Sequence, residues 1–346
     1  MKAVVLQKGA LNVEDIPAPT PGEGQLLLST RTCGICGTDL HAKHHLGAYL
    51  EGLTAAGNGL PVDVKGKVVM GHEFCGEVIG RGPNTSGRIK DGSLVVALPY
   101  ITGPEGAEYV GYSNRFPGGY AEQMVITERL AFEVPNGLPA RQAAMTEPFA
   151  VGAHAVARAR IDPDREHVIM VVGCGPIGLA VIAALKARGL GPVVGLDFSA
   201  ARRGFAEKMG ADEVVDATIE TQASVWERLG ARKKGRRAVA FECVGRPGVV
   251  QSIINEVPRG AKVVVVGNSL EPSSIDQVRA FNLELDIVFV ANYTPAEFSG
   301  TLSDIAEGRI DTAPILTGVV PPEGMDQAFS DLRNAERHVK IMLSFE

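Results

Sequence analysis

Two patterns of hydrophobic and polar residues divide the chain near residue 150. The first 150 residues carry short apolar runs separated by Gly, Pro and polar stretches, and we find no long helical period among them. This alternation is typical of a β-rich domain with long loops. The runs predicted as strands are residues 1–6, 25–29, 68–69, 94–98 and 124–126.

Beyond residue 150, strand-like and helix-like segments alternate. Pro176 begins one helical segment that Gly189 ends, and Ser199 can cap a second that Gly210 ends. Six strands alternating with helices predict a doubly wound parallel sheet, a mixed α/β architecture. The predicted strands are residues 167–172, 193–197, 213–215, 238–242, 261–266 and 286–290.

The last 55 residues contain two more helical patterns and a final short strand at residues 340–345. They could extend the parallel sheet or fold back on the first domain. Hydrophobic periodicity alone leaves both arrangements open.

Composition narrows the class of protein. A net charge of −6 gives no basic footprint for nucleic acid. No apolar run approaches the length that crosses a bilayer, and the N-terminus lacks a signal-peptide pattern, so we expect a cytoplasmic protein without membrane partners. Five scattered cysteines, an odd number, argue against a disulfide framework.

A glycine-rich turn follows the first strand of the second domain. Residues 172–178 read VGCGPIG, and Asp197 ends the next strand about 20 residues later, as in dinucleotide-binding turns. Asp197 can accept hydrogen bonds from ribose hydroxyls and would repel a 2′-phosphate, which favours NAD over NADP, although Arg202 and Arg203 could receive a phosphate. Arg203 is better interpreted as part of an exposed helix face. The expected cofactor contacts here are Gly173, Gly175, Pro176, Ile177, Gly178 and Asp197.

Two segments of the first domain concentrate possible metal ligands. Residues 33–41 read CGICGTDLH, and residues 71–76 read GHEFCG. A structural zinc site needs four ligands, and no second C-x-x-C exists in the chain. A catalytic zinc needs three protein ligands and an open position, so one thiolate, one imidazole and one further group would suffice.

Four motifs in order carry a family resemblance. They are CGICGTDLH, GHE at 71–73, EPFAVGAHA at 147–155 and GCGPIG at 173–178, and together they resemble the zinc-containing medium-chain dehydrogenases, most closely the sorbitol-like polyol and threonine dehydrogenase branch. The resemblance implies a β-rich GroES-like catalytic domain, residues 1–149 and 292–346. It also implies a Rossmann dinucleotide-binding domain, residues 150–291.

The same resemblance implies roles for individual residues. Cys36, His72 and Glu147 match the three zinc ligands, and Glu73 matches a catalytic-site carboxylate beside the metal that sometimes serves as an alternative ligand. Thr38 matches the hydroxyl that contacts the substrate oxygen. The remaining matches are His41 at the outer end of a proton relay, Asp39 orienting the imidazole, Val244, Val266 and Gly267 beside the nicotinamide together with the segment Ala291-Asn292-Tyr293, Arg202 near the adenosine ribose, and Lys340 near the pyrophosphate.

Several other histidines and cysteines have no assigned chemistry. Cys174 lies inside the phosphate-binding turn, which excludes it as a metal ligand, and His154 lies in an apolar helical run. His44 and His45 are expected in a loop, and residues 46–66 are expected to form a long connection beside the substrate cleft. Cys75 and Cys243 are expected in the core.

The predicted function is a zinc-dependent transfer of a hydride between an alcohol, most simply a secondary alcohol or polyol, and NAD, giving a ketone or aldehyde. Relatives often hold a structural zinc near residues 98–114, but this chain has no cysteine there, which predicts one zinc per chain. We expect a homo-oligomer, a dimer or tetramer. The alternatives are a zinc-free NADPH-dependent quinone or enoyl reductase of the same fold and a non-catalytic nucleotide-binding protein.

Overall fold

The strands form two large sheets and two hairpins. The computed structural model describes residues 1–103, 106–231, 233 and 236–345. Within them the strands are β1 (Lys2–Gln7), β2 (Ala10–Asp15), β3 (Gln25–Gly34), β4 (Glu73–Arg81), β5 (Leu94–Ala97), β6 (Tyr100–Gly103), β7 (Gly106–Tyr109), β8 (Gln123–Thr127), β9 (Ala131–Glu133), β10 (His167–Val172), β11 (Val193–Asp197), β12 (Glu213–Asp216), β13 (Arg237–Glu242), β14 (Lys262–Val265), β15 (Asp286–Phe289), β16 (Leu316–Val320) and β17 (Lys340–Ser344).

The helices lie mostly in the second half of the chain. Among the described residues, none of them is both long enough and apolar enough to cross a membrane. They are α1 (Gly37–Ala55), α2 (Ala140–Ala143), α3 (Thr146–Ala159), α4 (Pro176–Ala187), α5 (Ala200–Lys208), α6 (Gln222–Arg228), α7 (Val249–Glu256), α8 (Gln277–Asn282), α9 (Pro295–Ala306) and α10 (Met325–Asp331).

The first sheet is centred on β3. In the part of the chain that the structure describes, its strands run in the order β16-β17-β3-β4-β5-β9, and β8 also pairs with β3. β3 and β4 are antiparallel with Gly34 opposite Glu73, and β17 lies on the other side of β3 with Met342 opposite Gly34. This register brings the residues after β3, the residues at the start of β4 and the start of β17 to one corner of the sheet.

The second sheet is parallel throughout. Its order is β12-β11-β10-β13-β14-β15 over the described residues, with β10 and β13 adjacent at the centre. The chain crosses from one half of the sheet to the other between these strands, and ligands of such sheets bind at the carboxyl ends of the strands at this point. The turn after Val172 and the segment after Glu242 lie there.

The α/β fold class is confirmed, and so are the six predicted strands of the parallel sheet. β10 and β11 have the predicted bounds, and the other four differ by one residue at one or both ends. Ser199 caps α5 by accepting a hydrogen bond from the amide of Arg202. β16 and β17 join the first sheet, so the final strand packs back on the first part of the chain. The exact domain boundaries stay a prediction.

The expectation that the first domain has no long helix is wrong. α1 is 19 residues long and bends at His45, where the backbone φ is −134°. Its buried residues are Asp39, Ala42 and Leu50, too few and too unevenly spaced to form an apolar stripe of helical period. His44, His45 and residues 46–55 therefore belong to a helix and not to the predicted loop.

Helix α3 connects the two sheets. It packs along α4 so closely that a Cβ on Gly152 would lie 2.5 Å from the carbonyl carbon of Ala180. His154 on α3 also bonds Glu297 on α9, with Nδ1 to Oε2 2.9 Å. These contacts fix α3, whose first turn carries Glu147, against α4 and α9.

Candidate functional site

The register between β3 and β4 brings the two ligand-rich segments together. Cys36 precedes the first residue of α1, and His72 and Glu73 lie at the start of β4. One sulfur, nitrogen or oxygen atom from each of these three residues lies within 4.8 Å of the others, the one such group found among the described residues. His72 and Glu73 are buried, and Cys36 is half-buried.

Behind His72 lies a fully buried carboxylate. Asp39 accepts hydrogen bonds from the hydroxyls of Tyr112 and Tyr120, both 2.7 Å long, and from the amide of Cys36 at 3.2 Å. Its Oδ1 is 3.6 Å from Nδ1 of His72, too far for a hydrogen bond but close enough for a strong charge interaction. Asp39 therefore faces Nδ1 of His72, which has no hydrogen-bond partner among the described residues.

The site attracts positive charge. Burial alone would lower the pKa of His72, but the negative charge of Asp39 and of the Cys36 thiolate outweighs it and holds the pKa well above its usual range. A raised imidazole pKa in a buried place means that the surrounding groups stabilise a cation. The same negative charges would stabilise a bound divalent metal ion.

Glu147 borders this cluster from helix α3. Its Oε1 accepts a hydrogen bond from the hydroxyl of Tyr293 at 2.8 Å. Burial raises the pKa of Glu147 to about 7, while the positive charge of His72 opposes the shift and the negative charge of Glu73 adds to it. Glu147 is thus within electrostatic reach of both residues, although it does not belong to the 4.8 Å group.

Glu73 is held by a buried ion pair. The ammonium of Lys340 lies 2.8 and 2.6 Å from its two carboxylate oxygens and also donates to the carbonyl oxygen of Ile35 at 3.0 Å. Both side chains are 1% exposed. The structure does not bring Lys340 to the glycine-rich turn, since its ammonium is enclosed in the first sheet and already has its partners; its contact with the cofactor pyrophosphate stays a prediction.

Thr38 and His41 lie on the first turns of α1. Three residues apart, they share one face of the helix. Thr38 is half-buried and His41 is exposed, so this face leads from the cluster toward solvent. Their proton-relay roles stay predictions.

All six tyrosines of the chain lie around this site. Tyr112 and Tyr120 bond Asp39, and Tyr293 bonds Glu147. The other three rings form an aromatic wall with Tyr112: Tyr109 packs against His72 with ring centroids 5.8 Å apart, Tyr100 meets Tyr109 edge to face at 4.9 Å, and Tyr49 lies 5.4 Å from Tyr112.

The aromatic wall was not predicted, because no local pattern relates tyrosines from separate elements. Two of them belong to the β6–β7 hairpin, whose residues 104 and 105 lie outside the described part of the chain. The hydroxyls of Tyr49, Tyr100 and Tyr109 have no hydrogen-bond partner among the described residues. Burial, as the largest cause, raises the pKa of all three, so they remain protonated donors.

The glycine-rich turn has the geometry of a phosphate cradle. Gly173 has a φ of +92°, and a Cβ there would lie 2.6 Å from a methyl of Val244. A Cβ on Gly178 would clash with the carbonyl oxygen of Gly173, so the turn closes tightly onto α4. Gly175 in contrast has open space before the Arg202 guanidinium, whose nearest atom would be 3.9 Å from a Cβ. A pyrophosphate fits that opening beside the amino end of α4.

Asp197 is bonded to the backbone of this turn and of the segment that follows β11. Its two oxygens accept from the amides of Cys174 and Ser199, both at 2.8 Å, and Arg202 lies 4.0 Å away. Arg203 does not form the predicted exposed helix face. Its guanidinium donates to the carbonyl oxygen of Asp197 and forms an ion pair with Asp216 at 2.7 Å, so it links the ends of β11 and β12.

A carboxylate without a predicted role lies beside the residues that are predicted to contact the nicotinamide. Oε1 of Glu242, buried at the end of β13, accepts from the amides of Val244 and Gly245, both at 2.8 Å. The backbone carbonyl of Glu242 also accepts from Val266 and Gly267. The glutamate was visible at a strand end in the sequence, but which amides it bonds depends on the turn that follows.

The other cysteines lie outside the metal cluster. Cys33, Cys75 and Cys174 are fully buried, and Cys243 is half-buried against the core. Cys33 packs so tightly that a Cβ on Gly119 would lie 2.7 Å from its sulfur. Burial, as the largest cause, raises the pKa of its thiol well above the usual range.

Two family models match the chain. Residues 22–136 match the alcohol dehydrogenase GroES-like domain, and residues 176–307 match the zinc-binding dehydrogenase domain. An (R,R)-butanediol dehydrogenase of Neisseria gonorrhoeae is 31% identical, with 97% of each chain covered. A sorbitol dehydrogenase of Bacillus subtilis is 29% identical over 92% of this chain and 89% of its own.

A solved structure matches the whole fold. The 2R,3R-butanediol dehydrogenase of Bacillus subtilis superposes with a TM-score of 0.84 at 28% identity, covering 100% of this chain and 99% of its own. Relatives of this kind favour an alcohol oxidoreductase over the zinc-free quinone or enoyl reductase that the sequence left as an alternative.

Proposed function

The chain belongs to the zinc-dependent medium-chain alcohol dehydrogenase family, and on that basis we propose that it oxidises a vicinal diol or polyol with NAD. The observation that carries the proposal is the group of Cys36, His72 and Glu73 beside Glu147, next to the aromatic wall. A thiolate, an imidazole and a carboxylate are the donor set of a catalytic zinc.

The proposed zinc ligands are Cys36, His72 and Glu147. Both oxygens of Glu73 are neutralised by Lys340, whereas Glu147 has a single neutral donor, Tyr293, and a pKa that burial raises to about 7. A carboxyl without a cationic partner gains most from a metal ion. Glu73 would then not be a ligand and would stay paired with Lys340.

Cys36, His72 and Glu147 would hold the zinc, which would supply a Lewis acid for the alcohol oxygen and so favour loss of its proton. We assign the removal of that proton to the chain's own residues on α1. Thr38 can pass a proton along the helix face to His41, which is exposed and able to exchange it with solvent. Asp39, fixed by Tyr112 and Tyr120, faces Nδ1 of His72 at 3.6 Å and acts on the imidazole by its negative charge and not by a hydrogen bond.

The residues of the glycine-rich turn would hold NAD, which would supply the acceptor for the hydride. The cradle around Gly173 and Gly175 fits a pyrophosphate, and Asp197, with its two oxygens fixed by backbone amides, presents negative charge where a 2′-phosphate would lie. Arg202 is 4.0 Å from that carboxylate and offsets part of its charge. We therefore propose a preference for NAD and not an absolute exclusion of NADP.

The aromatic wall suggests the substrate class. Tyr49, Tyr100 and Tyr109 offer three hydroxyl donors that lack protein partners, and burying them against a simple alcohol would leave them unsatisfied. A substrate with a second hydroxyl beside the reacting carbon can accept a hydrogen bond from one or more of these tyrosine hydroxyls. The relatives named for butanediol and sorbitol agree with this class.

The function is tested with purified protein, NAD or NADP, and three alcohols. We expect kcat/KM for butane-2,3-diol and sorbitol to exceed that for butan-2-ol by at least about tenfold, the effect of one satisfied buried hydrogen bond. NAD should outperform NADP, and Asp197→Asn should narrow that ratio because it removes the repelling charge. Equal rates on all three alcohols would refute the assigned role of the tyrosines.

The choice of Glu147 as the third ligand predicts the effect of Tyr293→Phe. Removing the hydroxyl that orients a ligating carboxylate should weaken zinc binding by roughly 10- to 100-fold. Competition with a chelator of known affinity measures this change. Tyr100→Phe is the matched control, since Tyr100 neighbours Glu147 without a hydrogen bond to it and should leave zinc affinity unaltered. Equal affinities for the two variants would favour Glu73 as the ligand.

A further inference from the structure

A second, separate site lies at the amino ends of the strands of the parallel sheet, opposite the dinucleotide cradle. The strands β10, β13 and β14 begin with His167, Arg237 and Lys262, and these residues line a cavity of about 110 Å³ together with Arg160 and Arg165 from the connection after α3. The dinucleotide cradle lies at the carboxyl ends of the same strands. The cavity is therefore not part of the catalytic cleft.

Positive charge exceeds negative charge around this cavity. Arg165 pairs with Asp162 at 3.3 Å, and Arg237 pairs with Asp286, whose carboxylate is also 4.0 Å from the ammonium of Lys262. Four cationic side chains thus share two carboxylates.

Arg160 and Lys262 carry the excess. Lys262 bonds a neutral group, the carbonyl oxygen of Ala159 at 2.8 Å, and Arg160 has no ion pair among the described residues. The neighbouring acid Glu166 is exposed and pairs with Arg236 at 2.5 Å. Burial, followed by the nearby charge of Arg237, lowers the pKa of Lys262, as expected where cations face one another without enough anions.

Two polar atoms of the lining residues also lack partners. His167 is 7% exposed, and its Nε2 donates to the carbonyl oxygen of Asp162 at 2.7 Å, while its Nδ1 bonds nothing in the described structure. Nε of Arg237 is buried and unpartnered as well. Buried polar atoms of this kind normally have a partner. Nε of Arg237 lacks an acceptor, which an oxyanion supplies, and Nδ1 of His167, an acceptor when Nε2 donates, lacks a donor, which a water or the hydroxyl of a singly protonated phosphate supplies.

We propose that this cavity binds a phosphate group, either inorganic phosphate or the phosphate of a phosphomonoester. A dianionic oxyanion would balance the two excess positive charges, and guanidinium groups suit its oxygens. The volume is sufficient, because one water needs only about 10–15 Å³ measured in the same way. The site holds whether or not the catalytic proposal is correct, because it shares no residue with the cleft.

Arg160 allows a clean test. It ends α3 with a φ of +47°, a left-handed conformation that Asn tolerates, so Arg160→Asn should fold while removing the unpaired charge. Lys8→Asn is the matched control: Lys8 is exposed, has a φ of +50° and lies in the β1–β2 turn, away from the cavity. Both variants lose one charge from the same backbone conformation.

Thermal unfolding is followed while phosphate, glycerol phosphate or chloride is added at constant ionic strength. Wild type and Lys8→Asn should show a saturating rise in Tm with phosphate, and Arg160→Asn should need at least about tenfold more phosphate for the same rise. A stronger rise with glycerol phosphate would identify a phosphomonoester as the ligand. An equal rise in Tm with chloride, or a rise with phosphate that is identical in Arg160→Asn and Lys8→Asn, would overturn the proposal. The second result would assign the effect to the dinucleotide cradle.

Discussion

Replacing Cys36 by serine or His72 by alanine is expected to lower kcat/KM for the diol by at least about three orders of magnitude. Polarisation of the substrate oxygen by a metal ion is worth several kcal/mol of transition-state stabilisation, and each 1.36 kcal/mol corresponds to a factor of about ten. Losing one of three ligands should also release the zinc. Steady-state kinetics and metal analysis on the same preparation measure both effects.

Cys33→Ser is the matched control for Cys36→Ser. Both cysteines belong to one C-x-x-C segment, but Cys33 is packed between Gly71 and Gly119 in the core and lies outside the metal cluster. Its replacement should cost some stability and leave zinc content and kcat unaltered. If Cys33→Ser loses zinc while Cys36→Ser keeps it, the assignment of the thiolate ligand is wrong.

Of the single substitutions proposed for this protein, Lys340→Met should lower the free energy of unfolding most. The change leaves the carboxylate of Glu73 buried without its cation and removes a donor from the carbonyl of Ile35. Breaking one side of a buried ion pair typically costs about 3–5 kcal/mol. Urea denaturation of the metal-free protein measures the free energy of unfolding.

The double variant Lys340→Met, Glu73→Gln separates two explanations of that loss. Glu73→Gln removes the unpaired buried charge, so the double variant should regain much of the lost free energy of unfolding. Replacing both partners of a buried ion pair changes stability little. The KM for NAD of the zinc-loaded Lys340→Met enzyme should stay near the wild-type value. A large rise in this KM with little loss of stability would instead support the predicted contact of Lys340 with the pyrophosphate.

The parallel sheet was predictable because its signals are local. Each strand is a short apolar run with a turn residue nearby, and the glycine-rich turn lies between a strand and a helix in a single stretch of sequence. Steric demands at Gly173 and Gly178 can be inferred from the motif alone, and the structure has the tight turn that they imply.

The missed features depend on contacts between distant residues. Lys340 and Glu73 are 267 positions apart, and only the pairing of β17 and β4 with β3 brings them together. The aromatic wall joins α1 to a hairpin in the same way. Helix α1 was missed for a different reason: it buries a carboxylate, Asp39, where a helical pattern would show an apolar residue.

The central claim is a catalytic zinc held by Cys36, His72 and Glu147, and metal analysis of the active enzyme tests it most directly. The account predicts about one zinc per wild-type chain, with dehydrogenase activity that disappears on chelation, returns on adding zinc, and is absent from the Cys36→Ser, His72→Ala double variant. An active wild-type enzyme without zinc, or a double variant that still reduces quinones or enones at the wild-type rate, would contradict it.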